Sequence, residues 1–277
     1  MRARGTDLSQ FQGDPPFAAL VAEGVEFAIS KSTEGRGYID PKWEQNLVRS
    51  PIYMRAVGCY HVLRAGTPLI QAAHHAKQWE RLVVEAGKVG AKVIPPCMDF
   101  EIMDKQTAEQ AVANCVEYRV ELERLTGCVP WLYSYPSFLR EQCKNLAPAE
   151  LQECPMWLAW YAGYGYTRAA EVDPIKALGK FCPTLWTNGR WVCWQYDGDK
   201  GERYPNGVDA DFNVANGSVD DMLGLVAPEP SNGPDTQPQT PTSKSSQSFR
   251  AQGVNGAATP LRAGEGEHTV REDEVKL

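Results

Sequence analysis

The 277-residue sequence predicts an α/β fold, an irregular (β/α)8 TIM-like barrel with helices missing in the second half. Three observations lead there. Short apolar runs alternate with helical patterns along the chain. Eight such runs precede a sharp change in composition near Leu225. The body before that change is about 225 residues, close to the size of a barrel of this kind.

In chain order, the pattern predicts strands over 5–9, 27–32, 57–63, 92–101, 129–135, 156–162, 191–196 and 207–213. Helices are predicted after the first four strands, over 16–23, 41–49, 68–88 and 107–126. Each of the first three has Pro near its first turn, where a missing N–H costs nothing. Thr107 followed three residues later by Gln110 reads as a capping box for the fourth. The second half differs. Only a short helical piece follows the fifth strand, and Phe181–Tyr196 carries Thr187-Asn188-Gly189-Arg190 between apolar segments, a hairpin-turn signal. A doubly wound open sheet is the alternative, but it wants a Gly-rich phosphate loop after the first strand, and Gly5-Thr6-Asp7 is not one.

Two regions follow: a barrel over 1–226 and a tail over 227–277. The tail is rich in Pro, Ser, Thr, Gly and charge, with Phe249 as its lone aromatic residue, so it reads as a disordered tail or linker. The net charge of -7 and the lack of a basic stripe argue against nucleic acid as a partner. No apolar run approaches the roughly 18 residues of a membrane span, so no membrane insertion is expected. The N-terminal MRARGTDLSQ lacks an apolar core, which implies synthesis in the cytoplasm without a signal peptide. The eight cysteines form no C-x-x-C, so no zinc site is expected. They read mostly as buried free thiols, with one or two disulfides as the alternative. No cofactor and no metal are expected, although a carboxylate Mg2+ site stays open. A monomer is the expected state.

The chemistry collects at strand ends. The apolar run KVIPPCMDFE ends in Asp99 and Glu101, which an extended strand would project side by side. Two carboxyls at the edge of an apolar core cannot both ionise cheaply, so their proton affinities split. Similar residues end the other strands: Asp7, Glu34 after Lys31, Tyr60 with His61, Tyr133, Trp160 with Tyr161, Gln195, and Asp209 with Asp211. In a parallel barrel these ends converge on one face. Singly, each has a bland reading: a D-x-E turn, a core aromatic, a satisfied buried His61. Together they favour a site. A carboxylic acid, a neighbouring negative charge and flat aromatic platforms are what glycoside cleavage needs. No G-x-S-x-G occurs, and His74 and His75 lie within a predicted helix.

At these residues the sequence resembles the glycoside hydrolase family 25 lysozymes. The similar stretches run in order: GTDLSQFQG (5–13), FAISKSTEG (27–35), GCYHVLR (58–64), MDFE (98–101), WLYSYP (131–136), MWLAWYA (156–162), WVCWQY (191–196) and VDADFNVANGS (208–218). The resemblance implies hydrolysis of the β-1,4 bond between N-acetylmuramic acid and N-acetylglucosamine in peptidoglycan, with bacterial wall lysis as the outcome. It makes Glu101 the general acid. Asp99 would assist by stabilising positive charge or by orienting the substrate N-acetyl group. Asp7 and an acid from the last strand would complete the cluster. Asp211 is favoured over Asp209 because it shares a strand face with Asn213. Tyr60, Tyr133, Trp160, Tyr161, Gln195 and Glu34 would bind sugar. A phage-type lysin is implied, reaching the wall through a pore or within a particle. A chitinase-like glycosidase and a non-catalytic glycan-binding virion protein are the alternatives.

Overall fold

In the computed structural model of the protein, which describes residues 1–183, 186, 190–198 and 201–224, one sheet closes on itself. Its strands are β1 (Arg4–Leu8), β2 (Val25–Glu34), β3 (Tyr38–Ile39), β4 (Ala56–Val62), β5 (Lys92–Val93), β6 (Cys97–Asp99), β7 (Trp131–Ser134), β8 (Met156–Ala159), β9 (Cys193–Asp197) and β10 (Asp211–Ala215). Pairing of β2 with β4 and of β10 with β1 makes an eight-stranded barrel; β3 pairs with the end of β2, and β5 pairs with the start of β4 ahead of β6. The barrel strands pair in parallel except β10, which runs antiparallel to both β1 and β9.

The first half carries a short α1 (Phe17–Ala22) and the long helices α2 (Trp43–Tyr53), α3 (Pro68–Val89) and α4 (Ala108–Thr126). The α3 helix starts with Pro68 in its first turn and stops at Gly90, whose φ of 73° only glycine holds without cost. The expected capping box opens α4: the Gln110 amide donates to Thr107 Oγ1, and the Thr107 amide donates to Gln110 Oε1. After β7 the described helical pieces are short: a π-helical turn over Phe138–Gln142, then α5 (Ala149–Gln152), α6 (Tyr166–Ala169) and α7 (Pro174–Leu178).

Two strand expectations need correction. The run over 92–101 is not one strand, because Pro95 and Pro96 supply no N–H to a ladder and separate β5 from β6. Glu101 therefore lies two residues past the end of β6. Alternation nonetheless persists, with Met98 and Phe100 packed under the helices and Cys97 in the barrel interior. The last strand is Asp211–Ala215 rather than 207–213, and it runs against its neighbours. It therefore reaches the mouth of the barrel with its first residue, not its last. The hairpin turn expected at 187–190 falls mainly outside the described residues; β9 takes its antiparallel partner from β10. The tail over 227–277 also lies outside them.

The barrel interior is filled at one end by Phe27, Ile29, Ile94, Cys97, Trp131, Trp157 and Cys193. A Cβ at Gly5 would lie 2.2 Å from the Phe27 ring, so this position takes only glycine while that ring fills the barrel. Full burial of an apolar side chain such as Phe27 or Ile29 stabilises by about 1.5–3 kcal/mol. Seven of the eight cysteines are buried, and Cys128 is partly exposed.

Candidate active site

Above the apolar plug, five of the barrel strands turn polar on their inner face within two residues. Gly5 is followed on the inner face by Asp7, Ile29 by Lys31, Cys97 by Asp99, Trp131 by Tyr133, and Cys193 by Gln195. Asp7 and Asp211 stand opposite each other on the β1–β10 ladder.

A continuous hydrogen-bond network fixes this layer. Asp7 Oδ2 accepts from Gln195 Nε2 (2.8 Å) and from Asn213 Nδ2 (2.7 Å). Asn213 Oδ1 in turn accepts from the Trp157 indole (2.7 Å). Gln195 Oε1 accepts from the hydroxyls of Tyr133 (2.9 Å) and Tyr161 (2.8 Å). Both amides are thereby locked in one orientation. At the rim, Gln12 Nε2 donates to Asp211 Oδ2 (3.1 Å).

Burial drives the electrostatics. It pushes the Asp7 carboxyl well above the usual carboxylate range, and the Asp211 charge pushes the same way against the two amide donors. Burial likewise raises the Asp99 carboxyl strongly, reinforced by Glu101 and opposed by the Lys31 ammonium. Asp99 Oδ1 is buried and accepts no hydrogen bond. A buried carboxyl oxygen without a donor is costly when charged, which favours a shared proton at this pair.

Two adjoining cavities open above the layer. The acidic one, about 570 Å³, is lined by Asp7, Lys31, Tyr60, Asp99, Gln195 and Asp211 among others. The aromatic one, about 620 Å³, is lined by Tyr135, Arg140, Trp160, Leu178 and Phe181 among others. Glu101, Tyr133 and Tyr161 line both, so Glu101 stands at their junction. Tyr60 packs edge-on against Trp157, and Trp160 stacks on Trp194 with ring centroids 5.7 Å apart.

The structure thus brings together Asp7, Asp99, Glu101, Asp211, Tyr60, Tyr133, Trp160, Tyr161 and Gln195. Asp209 differs: it borders the acidic cavity but lies outside β10, exposed, and pairs with Arg203 (3.0 Å). Asp211, not Asp209, faces Asp7. Glu34 does not line either cavity. A register shift in β2 between Lys31 and Thr33 turns it away, and it binds Lys31 (2.7 Å) and Arg64 (2.6 Å) instead. Burial works against its charge, but these two cations outweigh it and hold the carboxyl below its usual range. His61 is a satisfied core residue beneath the helices. Its nitrogens meet Thr33 Oγ1 (2.7 Å) and Gln71 Oε1 (3.2 Å), and burial pushes it down to about 3, so it stays neutral.

The sequence assigned no site role to Lys31, Gln12, Asn213, Trp157 or Arg140. Lys31 had a signal: it follows Ile29 by two and so shares its inward face. Gln12 and Arg140 had none, because they come from a 3-10 turn and a π-helical turn that no strand pattern marks. Among the described residues, no group of three or more His, Cys, Asp or Glu side chains is arranged to hold a metal ion.

The model of a family described as glycosyl hydrolases family 25 matches residues 6–202. The uncharacterized protein YegX of Escherichia coli is 27% identical over 202 residues, which cover 73% of this chain and 63% of that protein. The chain therefore spans less than two thirds of that relative's length. The autolytic lysozyme of Clostridium acetobutylicum is 23% identical over 242 residues, covering 82% of this chain and 69% of that one. Among solved structures, the bacterial lysozyme of Streptomyces coelicolor superimposes with a TM-score of 0.63 at 21% identity, covering 81% of this chain and 97% of its own.

Proposed function

The chain belongs to glycosyl hydrolases family 25, and on that premise we propose that it is a peptidoglycan muramidase. It would cleave the β-1,4 bond from N-acetylmuramic acid to N-acetylglucosamine, with Glu101 as general acid. The carrying observation is the position of Glu101 at the junction of two cavities, beside a buried acid whose Oδ1 has no donor.

Geometry decides which of the pair is the acid, ahead of proton affinity. Asp99 is 5% exposed and holds its place in the strand, while Glu101 is half-buried and borders both cavities. A glycan laid through both would carry a glycosidic oxygen past Glu101, not past Asp99. Asp99 then acts as helper: with its neighbour it shares one proton, and it presents a carboxyl oxygen to an N-acetyl group or to developing positive charge. Asp211 adds negative potential where an oxocarbenium-like centre would form, while Asp7, which keeps its proton, orients the amides of Gln195 and Asn213. Tyr133, Tyr161 and Gln195 hold hydroxyls, and Tyr60 and Trp160 offer apolar faces to sugar rings.

The second half fits the same reading. An irregular (β/α)8 barrel whose later helices are reduced to short pieces leaves the mouth open enough for a polymer rather than a small substrate. In the same proposal the enzyme works as a monomer of the phage-lysin type on the bacterial wall, without membrane insertion. Among the described residues no helix is long and apolar enough to cross a membrane.

Digestion of purified walls followed by reduction of the new chain ends tests the proposal. Muramitol is the expected product. Glucosaminitol, or products from chitin oligomers alone, would overturn it.

A further inference from the structure

Beside the acidic cavity, four charged side chains form an alternating chain that the reaction as described does not use. Lys31 Nζ donates to Glu34 Oε2 (2.7 Å), and Arg64 Nη1 donates to Glu34 Oε1 (2.6 Å). Arg64 Nε and Nη2 grip both oxygens of Asp104 (2.7 and 2.6 Å). The Ala65 amide adds a third bond to Asp104 (2.9 Å). Of the four, Lys31 alone lines the groove.

The place of this clamp matters. Asp104 lies three residues beyond Glu101, on the segment leading from β6 to α4. Asp104 and Lys105 hold φ of 45° and 65°, left-handed values that residues with a Cβ rarely adopt twice in succession. Something must hold the segment there, and the bidentate guanidinium, with the Ala65 amide, grips its Asp104 side chain. On its other side the same guanidinium holds Glu34, which fixes the ammonium of Lys31.

Building on the muramidase reading, we infer that Arg64 is a positioning residue. By gripping Asp104 and Glu34 together, it sets the Glu101 segment against the strand that carries Lys31. Isolated exposed ion pairs do little, but a bidentate pair within a network is the exception. Side-chain exposures of 39%, 25% and 19% for Arg64, Glu34 and Asp104 put this one in partial shelter.

Charge gives the idea a signature beyond stability. Asp99 is faced by Asp7 from β1, by Lys31 and Glu34 from β2, by Tyr60 from β4, by Tyr133 from β7, and by Glu101. Without Arg64, Glu34 keeps its bond to Lys31 and Asp104 keeps only the Ala65 amide of the contacts named above, so both carboxylates lose the cation they share. More negative charge beside the pair makes both carboxyls harder to ionise, so both limbs of the pH–rate profile move to higher pH.

The test uses R64M, R64K, D104N and the double variant R64M/D104N in the full chain, measuring kcat, KM, the pH profile and Tm. R64M is expected to lower kcat roughly tenfold to a hundredfold with little change in KM, as misplacement of a reacting group does. Both its limbs should rise. R64K, which keeps the charge without the fork, should fall between R64M and wild type with limbs near wild type. The double variant should be no worse than R64M, because the two residues act as a unit. A lower Tm with wild-type kcat and an unmoved pH profile, read well below Tm, would overturn the inference. Carbon NMR titration of the Asp99 and Glu101 carboxyls in wild type and R64M is the readout that needs no turnover. If wild type cleaves no glycan, the muramidase reading fails separately, and an unshifted titration in R64M overturns the role of Arg64.

Discussion

The two ends of the barrel interior are built from the same strands, a residue pair apart, and do opposite work. Phe27, Ile29, Trp131 and Trp157 close one end as an apolar plug. Asp7, Lys31, Tyr133, Gln195 and Asn213 make the other a fixed polar layer. The plug stabilises the fold and excludes water from beneath the acids. The same dryness makes the acids hard to ionise, which is what the proposed muramidase reaction would use. Stability and reactivity here are one arrangement viewed from two sides.

Substitutions in the plug should cost the most stability. Phe27→Ala is expected to destabilise by about 3–5 kcal/mol in urea unfolding, because the rigid barrel cannot collapse around the void. Gln195→Leu comes next, at about 1–3 kcal/mol, since it leaves Asp7 short of a donor and two tyrosines short of an acceptor. Tyr161→Phe is smallest, at about 0.5–1.5 kcal/mol, because Tyr161 is 47% exposed and water can replace its bond. If Gln195→Leu proved more costly than Phe27→Ala, the division of labour between plug and polar layer would fail.

pH separates the layers in another way. Asp7 and Asp99 hold protons in the fold above the range where the unfolded chain releases them. Their contribution to stability is therefore full below the ordinary carboxyl range and is lost as pH rises toward their folded values. His61 has the opposite sign. It is held down to about 3, so its contribution is present above about 6.5 and is lost as pH falls toward that value. Asp7→Asn should raise Tm near neutral pH and flatten the loss on the alkaline side, while lowering activity. Thermal unfolding across pH checks the first part, and an unchanged alkaline slope would contradict it.

Much of this was legible in the sequence where alternation and composition govern. Asp7, Tyr133 and Gln195 sit at strand ends with period-two patterns, and the capping box of α4 was readable from Thr107 and Gln110. What was not legible depended on direction and register. The sequence does not reveal that β10 runs backwards, so it left Asp209 and Asp211 in competition until the ladder set Asp211 opposite Asp7. A register shift in β2 turned Glu34 out of the groove and left Lys31 in it, a change that no residue type announces. The Arg64–Asp104 grip is invisible for the same reason, since it joins residues 40 apart on two loops.

The central claim is that Glu101 is the proton donor, and Glu101→Gln tests it most directly. Turnover of purified walls and Tm are measured on the same preparation. The expected result is a loss of rate of about 10²–10⁴-fold, the usual contribution of a positioned acid, with Tm nearly unchanged. A rate close to wild type in a folded Glu101→Gln protein would contradict it.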